Sequence, residues 1–180
     1  MKTLLPKLFH SRLVQAGGLL AIIAAFAASM AWSRPAGASP KLEGAWVANT
    51  DTGIRAVVTF TPIDPSSRSA TFRNQMVVPP EVLAVLGVEA VTDEIGEARV
   101  TGIDTGAYTA VWYGLVGGRV VLIYLDNTAI TFDSATQLSL YHTVSAYLTT
   151  ADADNDGYPD PGSTPIATLT AHSISKRLVQ

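Results

Sequence analysis

The sequence predicts an all-β domain: an antiparallel up-and-down barrel of about eight strands carrying one short helix. Three observations lead there. Apolar residues recur at alternate positions through most stretches between residues 44 and 174. Clusters of Gly, Pro, Asn and Asp separate these stretches at short intervals, and only one segment carries helical punctuation. Sequential hairpins favour a meander, and closure into a barrel removes unpaired edges. A flattened two-sheet β-sandwich is the alternative.

Residues 1–38 stand apart from that domain. Lys2, Lys7 and Arg12 form a basic start, Leu13 to Ser33 carries no charge, and Ala36-Gly37-Ala38 gives a small-x-small cleavage pattern before Ser39. This is the pattern of a signal peptide, so the expected organisation is a signal peptide at 1–38 and a barrel domain at 39–180. The expected location is secreted or periplasmic. The alternative is a domain anchored by an uncleaved N-terminal helix, because the uncharged run is long enough to cross a bilayer. If the signal is cleaved, no stable membrane insertion is expected.

The elements follow in order. Gly44 to Ala48 is a short strand, and Asp51-Thr52-Gly53 is a turn. Ile54 to Thr61 alternates, with Ala56, Val58 and Phe60 on one face. Ile63 to Ser67 breaks the pattern. Arg68 to Val77 resumes it, with Ala70, Phe72 and Met76 opposite Ser69, Thr71, Arg73 and Gln75. Pro79 to Gly87 is the helix candidate, centred on 80–86, with proline at its start and glycine at its end. It spans about two turns and reads as a plug or lid. Asp93, Glu94 and Glu97 fall at a break and read as a solvated turn, with strand pattern resuming from Glu97 to Asp104. Ala107 to Leu115 and Arg119 to Asp126 form a hairpin through Gly117-Gly118, and Asn127 to Asp133 is a short continuation. Val120 to Leu125 is apolar on both faces, as in a central strand or one curled into a barrel. Gln137 to Thr150 is the longest alternating stretch, and Ile166 to Ile174 is the last strand.

Composition narrows the function. The 180 residues are 48% hydrophobic and 15% charged, enough for one domain with a real core. Four of the 12 basic residues precede Ser39 and no acidic residue does, so processing leaves 8 basic and 15 acidic residues, a net charge of −7. Such a chain has no electrostatic case for nucleic acid or an anionic membrane surface. Cysteine is absent, which excludes thiol nucleophiles and zinc-thiolate sites.

One stretch carries metal chemistry. Asp152-Ala153-Asp154-Asn155-Asp156-Gly157-Tyr158-Pro159-Asp160 places four carboxylates within nine residues, and no Lys or Arg occurs between Arg119 and Lys176. Like charges so close resist ionisation unless a cation joins them, and Ca²⁺ accepts six to eight oxygen ligands. With Asp152 as position 1 of a twelve-residue calcium loop, Asp154 is position 3, Asp156 position 5 and Gly157 the turn at 6. Tyr158 then offers its carbonyl at 7 and Asp160 stands at 9. A solvated acidic turn is the rival reading. The run resembles the calcium loops of EF-hands, dockerins and thrombospondin type 3 repeats. It departs from EF-hands at Ser163 (position 12), at Pro159 (position 8) and in its strand-like flanks. The expected site is therefore a weak one, of about 10⁻⁴–10⁻³ M, on a loop between two strands. A missing ligand would come from Asp126, Asp133 or water.

Other chemistry is sparser. His142 lies on the apolar face of its strand and reads first as a core histidine with one hydrogen-bond partner. A catalytic base is the rival reading; His172 shares the ambiguity. No G-x-S-x-G elbow accompanies the serines, so no catalytic residue is assigned. The aromatics Tyr108, Trp112, Tyr113, Tyr124, Tyr141 and Tyr147 suit core packing or the lining of a ligand cavity.

Gly44-Ala45-Trp46 on the first strand, the single helix and Arg177 after the last strand together resemble a lipocalin-type barrel. The Thr-Asp-Tyr motif of that family is missing. The resemblance implies that Trp46 closes one barrel end with Arg177 packed across it. It also implies a carrier whose cavity for a small hydrophobic ligand is formed around Phe60, Phe72, Trp112, Leu140 and His142. The leading expectation is thus an exported calcium-binding β-barrel serving as a binding or structural module. The carrier is the alternative, and an enzyme at the barrel mouth with His142 as base is a third.

Overall fold

Alternation in the sequence becomes nine strands and one helix in the computed structural model, which describes residues 41–66 and 68–178. The expected signal peptide at 1–38 lies outside the described residues. In chain order the elements are β1 (Gly44–Thr50), β2 (Arg55–Pro62), β3 (Ser69–Val77), α1 (Pro80–Leu86), β4 (Ala90–Val91), β5 (Glu94–Val100), β6 (Thr105–Val116), β7 (Arg119–Ser134), β8 (Gln137–Leu148), a 3₁₀ turn (Thr149–Ala151) and β9 (Ala167–Arg177). Eight strands pair in the ring β1-β2-β3-β5-β6-β7-β8-β9 and back to β1, every pair antiparallel, while β4 adds a two-residue ladder to β6. The barrel is closed, so the sandwich alternative falls.

Several boundaries differ from the sequence reading, and three of them follow from register. β5 begins at Glu94, because that residue pairs with Asn74 of β3. Asn127 to Asp133 is the second half of one 16-residue strand, held by β6 on one side and β8 on the other. The last strand runs on to Arg177, which pairs with Trp46. The short β4 had no alternating signal because it has only two residues.

The up-and-down course divides the connections between two ends. The hairpins β2–β3, β5–β6 and β7–β8 lie at the lower end. The β1–β2 turn, α1, the β6–β7 hairpin and the long β8–β9 loop lie at the upper end. The lower half is a dry core. Leu42, Trp46, Phe60, Ala70, Ile130 and Leu138 are each at most 4% exposed there. Trp46 closes this end: its indole N–H donates to the Leu42 carbonyl at 3.3 Å, and the Arg177 guanidinium carbon lies 5.6 Å from its ring centroid. Arg177 also donates to the Glu43 carbonyl at 2.6 Å. A cation over an indole is attracted by the ring's electron-rich face, which fixes the last strand against the first.

The upper half is looser. Trp112 stacks on Tyr124 with centroids 3.9 Å apart and planes 12° from parallel, and Met76, Leu86, Val91, Leu122 and Val144 pack around them. The Tyr124 hydroxyl donates to the Leu86 carbonyl at 3.1 Å, tying α1 over the barrel mouth. No residue of α1 is fully buried, so the helix sits on the rim as a lid and does not plug the core. Val120, expected on a strand buried on both faces, is instead 45% exposed at the upper rim.

Candidate functional site

Inward-facing positions of six strands meet halfway up the barrel, and there they are polar. Asn74 (β3), Glu94 (β5), Tyr108 (β6), Asp126 and Thr128 (β7), His142 (β8) and Ser173 (β9) form a belt between the dry core and the mouth. Ladder register builds it: Asn74 pairs with Glu94, Tyr108 with Thr128, and Thr128 with His142. Since side chains alternate across a strand, residues paired this way on one face stay neighbours.

Asp126 is the hub. Its Oδ1 accepts from the Thr128 hydroxyl at 2.8 Å, and its Oδ2 accepts from the Tyr108 hydroxyl at 3.2 Å and lies 2.9 Å from His142 Nδ1. His142 Nδ1 also lies 3.1 Å from the Tyr108 hydroxyl and 3.0 Å from the Thr128 hydroxyl, while Nε2 meets the Ser173 hydroxyl at 2.8 Å. A carboxylate offers only acceptors, so the arrangement that satisfies it puts a proton on Nδ1, donating to Asp126. His142 is therefore a part-buried, multiply bonded network member, which corrects the expectation of a core histidine with a single partner on an apolar face. His172 is on the opposite side of the sheet, stacked on Tyr141 at 4.7 Å.

Glu94 is the second carboxyl in the belt, and it overturns the solvated-turn reading. It is 2% exposed, and its Oε2 accepts from Asn74 Nδ2 at 2.7 Å. Burial, and then the Asp126 charge, push its pKa well above the ordinary glutamate range, so the neutral acid is favoured. Burial and the charges of Glu94 and Asp126 likewise push the Tyr108 phenol up, keeping it a donor. Glu94 Oε1, Asn74 Oδ1 and Ser175 Oγ, all bordering the barrel interior, are buried without a hydrogen-bond partner at ordinary distance, and the protonated Glu94 carboxyl faces Asp126. By contrast Glu97 faces solvent, and Asp93 pairs on the surface with Arg73 at 2.5 Å.

This belt borders a cavity of about 80 Å³. Phe60, Phe72, Trp112, Leu140 and His142 all line it. Above it, a groove of about 380 Å³ runs between α1 and the upper ends of β8 and β9, with Val82, Val85, Leu86 and Leu169 along its sides. Ile54, Trp112, Val144 and Ala171 border both spaces, so the groove adjoins the cavity.

Asp126, His142 and Ser173 are connected in the order of a hydrolytic triad: carboxylate to Nδ1, Nε2 to hydroxyl. Acyl transfer also needs free donors aimed at the developing oxyanion. Ser173 pairs with Leu140 on one side and Thr50 on the other, and the neighbouring His172 N–H donates to Asp51 Oδ1 at 3.2 Å, so it is not free for that role. The network is built to hold protons and orient groups inside the barrel.

The β8–β9 loop forms a second cluster, on the upper rim. Asp152 accepts from the Asp156 N–H at 3.0 Å and the Gly157 N–H at 3.1 Å; Asp154 accepts from the Asp156 N–H at 3.2 Å; Asp156 accepts from the Tyr158 N–H at 2.8 Å. The chain winds inward around three carboxylates, and ligand atoms of Asp152, Asp154 and Asp156 lie within 4.8 Å of one another. Gly157 has φ 92°, in the region that favours glycine, and the Tyr113 hydroxyl, which donates to its carbonyl at 3.0 Å, leaves no room for a Cβ. Asp160 accepts from the Ala153 N–H at 3.0 Å, bracing the loop, and Ser163 donates to the Ala151 carbonyl. The flanks are β8 and β9, with no EF helices. Neither protein carboxylate considered as a missing ligand is available: Asp126 is inside the barrel, and Asp133 lies at the other end of β7, accepting from Ser139 and Gln137.

Sequence reasoning had missed Asn74, Glu94, Tyr108, Asp126, Thr128 and Ser173 as a group. The period-two run Glu94, Gly96, Ala98, Val100 was the one readable signal, since it puts Glu94 on the inward face.

No protein-family model and no curated protein matches the chain. Among solved structures it is similar to EF1p2_mFAP2b bound to DFHBI, with 20% identity and a TM-score of 0.49 over 76% of this chain and 94% of that one. It is also similar to a redesigned β-barrel, with 15% identity and a TM-score of 0.46 over 77% of this chain and 92% of that one. What this barrel does is read from its own side chains.

Proposed function

We propose that the protein is an exported β-barrel that binds a small, largely hydrophobic ligand in its upper cavity and carries a calcium ion on the rim loop Asp152–Asp160. The observation that carries the first part is the cavity itself: apolar walls, an adjoining groove beneath α1, and a polar floor with unpaired buried oxygens. Apolar walls with a few convergent polar groups are how proteins hold and orient small molecules. Native mass spectrometry of the purified protein should reveal a co-purified small molecule, or else Trp112 fluorescence should respond saturably to hexanol or hexylamine. A bare mass with no saturable response removes the ligand-binding reading.

Calcium is supported by the three converging carboxylates and by a backbone wound as calcium loops are. Without a bidentate position-12 carboxylate the site is weak, which suits a compartment rich in calcium. At an ion concentration about tenfold above Kd the gain in stability is about 1.4 kcal/mol, or a few degrees in melting temperature. Identical melting curves in EGTA and in excess Ca²⁺ would sink this part.

A further inference from the structure

We infer that the ligand is an amine: a primary ammonium head seated on Glu94 and Asn74, with its hydrocarbon tail running up into the groove beneath α1. This deepens the ligand-binding reading above and rests on it. Three buried oxygens on the cavity wall have no partner, Glu94 Oε1, Asn74 Oδ1 and Ser175 Oγ; the amide oxygen accepts, the hydroxyl can accept, and Glu94 accepts there once it has given up its proton. Glu94 and Asn74 are both more than nine-tenths buried, and they sit side by side on paired positions of β3 and β5. An ammonium carries three donors and no acceptor, so it complements them, whereas an alcohol brings one donor and a carboxylate none. Charge points the same way. Among the described residues, the cavity wall includes two carboxyl groups, Glu94 and Asp126, and no Lys or Arg. The imidazole of His142 has both nitrogens engaged within the network. An anionic head would face the Asp126 carboxylate, whose near neighbour His142, at 2.9 Å, is already engaged with it. The enclosed floor is small, so only the head and first carbons fit there. Ile54, Trp112, Val144 and Ala171, common to cavity and groove, mark the route of the tail.

Seating an ammonium also changes the protonation of the floor. The groups facing Glu94 are Asn74, Asp126 and Tyr108, with His142 behind Asp126. Glu94 holds its proton in the empty barrel and gives it up to receive a cation, so binding at pH 7 releases a proton.

The test is calorimetric titration of the purified protein at pH 7 with n-hexylamine, n-hexanol and hexanoate. Charge-assisted hydrogen bonds are roughly twice as strong as neutral ones, so hexylamine should bind tighter than hexanol, and its advantage should grow by up to about tenfold per pH unit while binding displaces the Glu94 proton. Hexanoate should bind weakest, and the heat for hexylamine should vary with the ionisation enthalpy of the buffer. Glu94→Gln should lower hexylamine to the level of hexanol. Equal affinity for hexylamine and hexanol, or preference for hexanoate, overturns the amine while leaving a ligand-binding barrel. Failure of all three to bind overturns both readings. The order of the three probes on the unaltered protein decides the matter even where the variant fails to fold.

Discussion

Replacing Glu94 by glutamine should make the barrel more stable at neutral pH, although Glu94 is among its most buried side chains. Burial and the Asp126 charge raise the pKa of this carboxyl well above the ordinary value near 4.5. In the unfolded chain Glu94 ionises in that ordinary range, while the folded barrel keeps the proton. Above it the unfolded state binds fewer protons than the folded one, so stability is highest at low pH and falls as pH rises. For one group the slope is up to about 1.4 kcal/mol per pH unit, continuing until the folded group itself ionises. Between pH 5 and pH 7 the loss is up to about 2.7 kcal/mol. The glutamine side chain of the Glu94→Gln variant keeps an oxygen for the Asn74 amide and turns an N–H₂ toward Asp126, and it carries no such slope. Urea unfolding of both proteins at pH 5, 6 and 7 should give nearly equal stabilities at pH 5 and a lead for the variant on the order of 2 kcal/mol at pH 7. Asp126, Tyr108 and His142 are present in both, so their own titrations largely cancel in the difference. A gap between the two proteins that stays constant with pH would refute the reasoning, because Glu94 would then not be holding a proton.

Tyr113→Phe removes the hydroxyl that holds the Gly157 carbonyl at 3.0 Å. It should cost about 0.5–1.5 kcal/mol and raise the calcium concentration needed for half-maximal stabilisation, as thermal melts over a calcium series would show; an unchanged midpoint separates this tyrosine from the loop. Gly96→Ala puts a methyl against the Thr109 carbonyl and 2.7 Å from the Ala110 Cα, both rigid sheet backbone. It should cost about 2–3 kcal/mol or more in urea unfolding, and a loss below about 1 kcal/mol would mean that β5 and β6 part more easily than the closed ring implies. Mass analysis of protein recovered from the exporting host should find Ser39 at the N-terminus; an intact residue 1 would favour the anchored alternative.

The barrel was legible because its strands are half-wet. Arg55, Val57 and Thr59 face solvent while Ala56, Val58 and Phe60 face the core, and this alternation survives in the sequence as a period of two. The helix was legible from Pro79 and Gly87, and the rim loop from its spacing of aspartates. The polar belt was not, because its members come from six strands, each contributing one or two residues that look unexceptional in their own stretch. Asp126 stands before Asn127-Thr128, which reads as a polar break, and Glu94 adjoins Asp93, which really is at the surface. Only the register of β3 with β5 and of β7 with its neighbours brings them into one layer. The single-residue reading of His142 failed for the same reason, since all of its partners lie on other strands.

The belt is also not what the fold requires. Closing the barrel depends on the ladders and on the dry lower core, where each large side chain contributes about 1.5–3 kcal/mol by burial. Glu94 and Asn74 act in the opposite sense: a buried polar atom without a partner costs about 1–3 kcal/mol, and Glu94 must in addition keep its proton. Leucine at both positions together would remove these polar groups and their cost, whereas leucine at one alone would strand the partner of the Asn74–Glu94 hydrogen bond. Two polar side chains paired across one ladder and bordering a cavity offer hydrogen bonds that whatever occupies the cavity, water or ligand, can complete. For that reason the polar floor of the cavity, more than the acidic loop on the rim, is where the chemistry of this protein is to be sought.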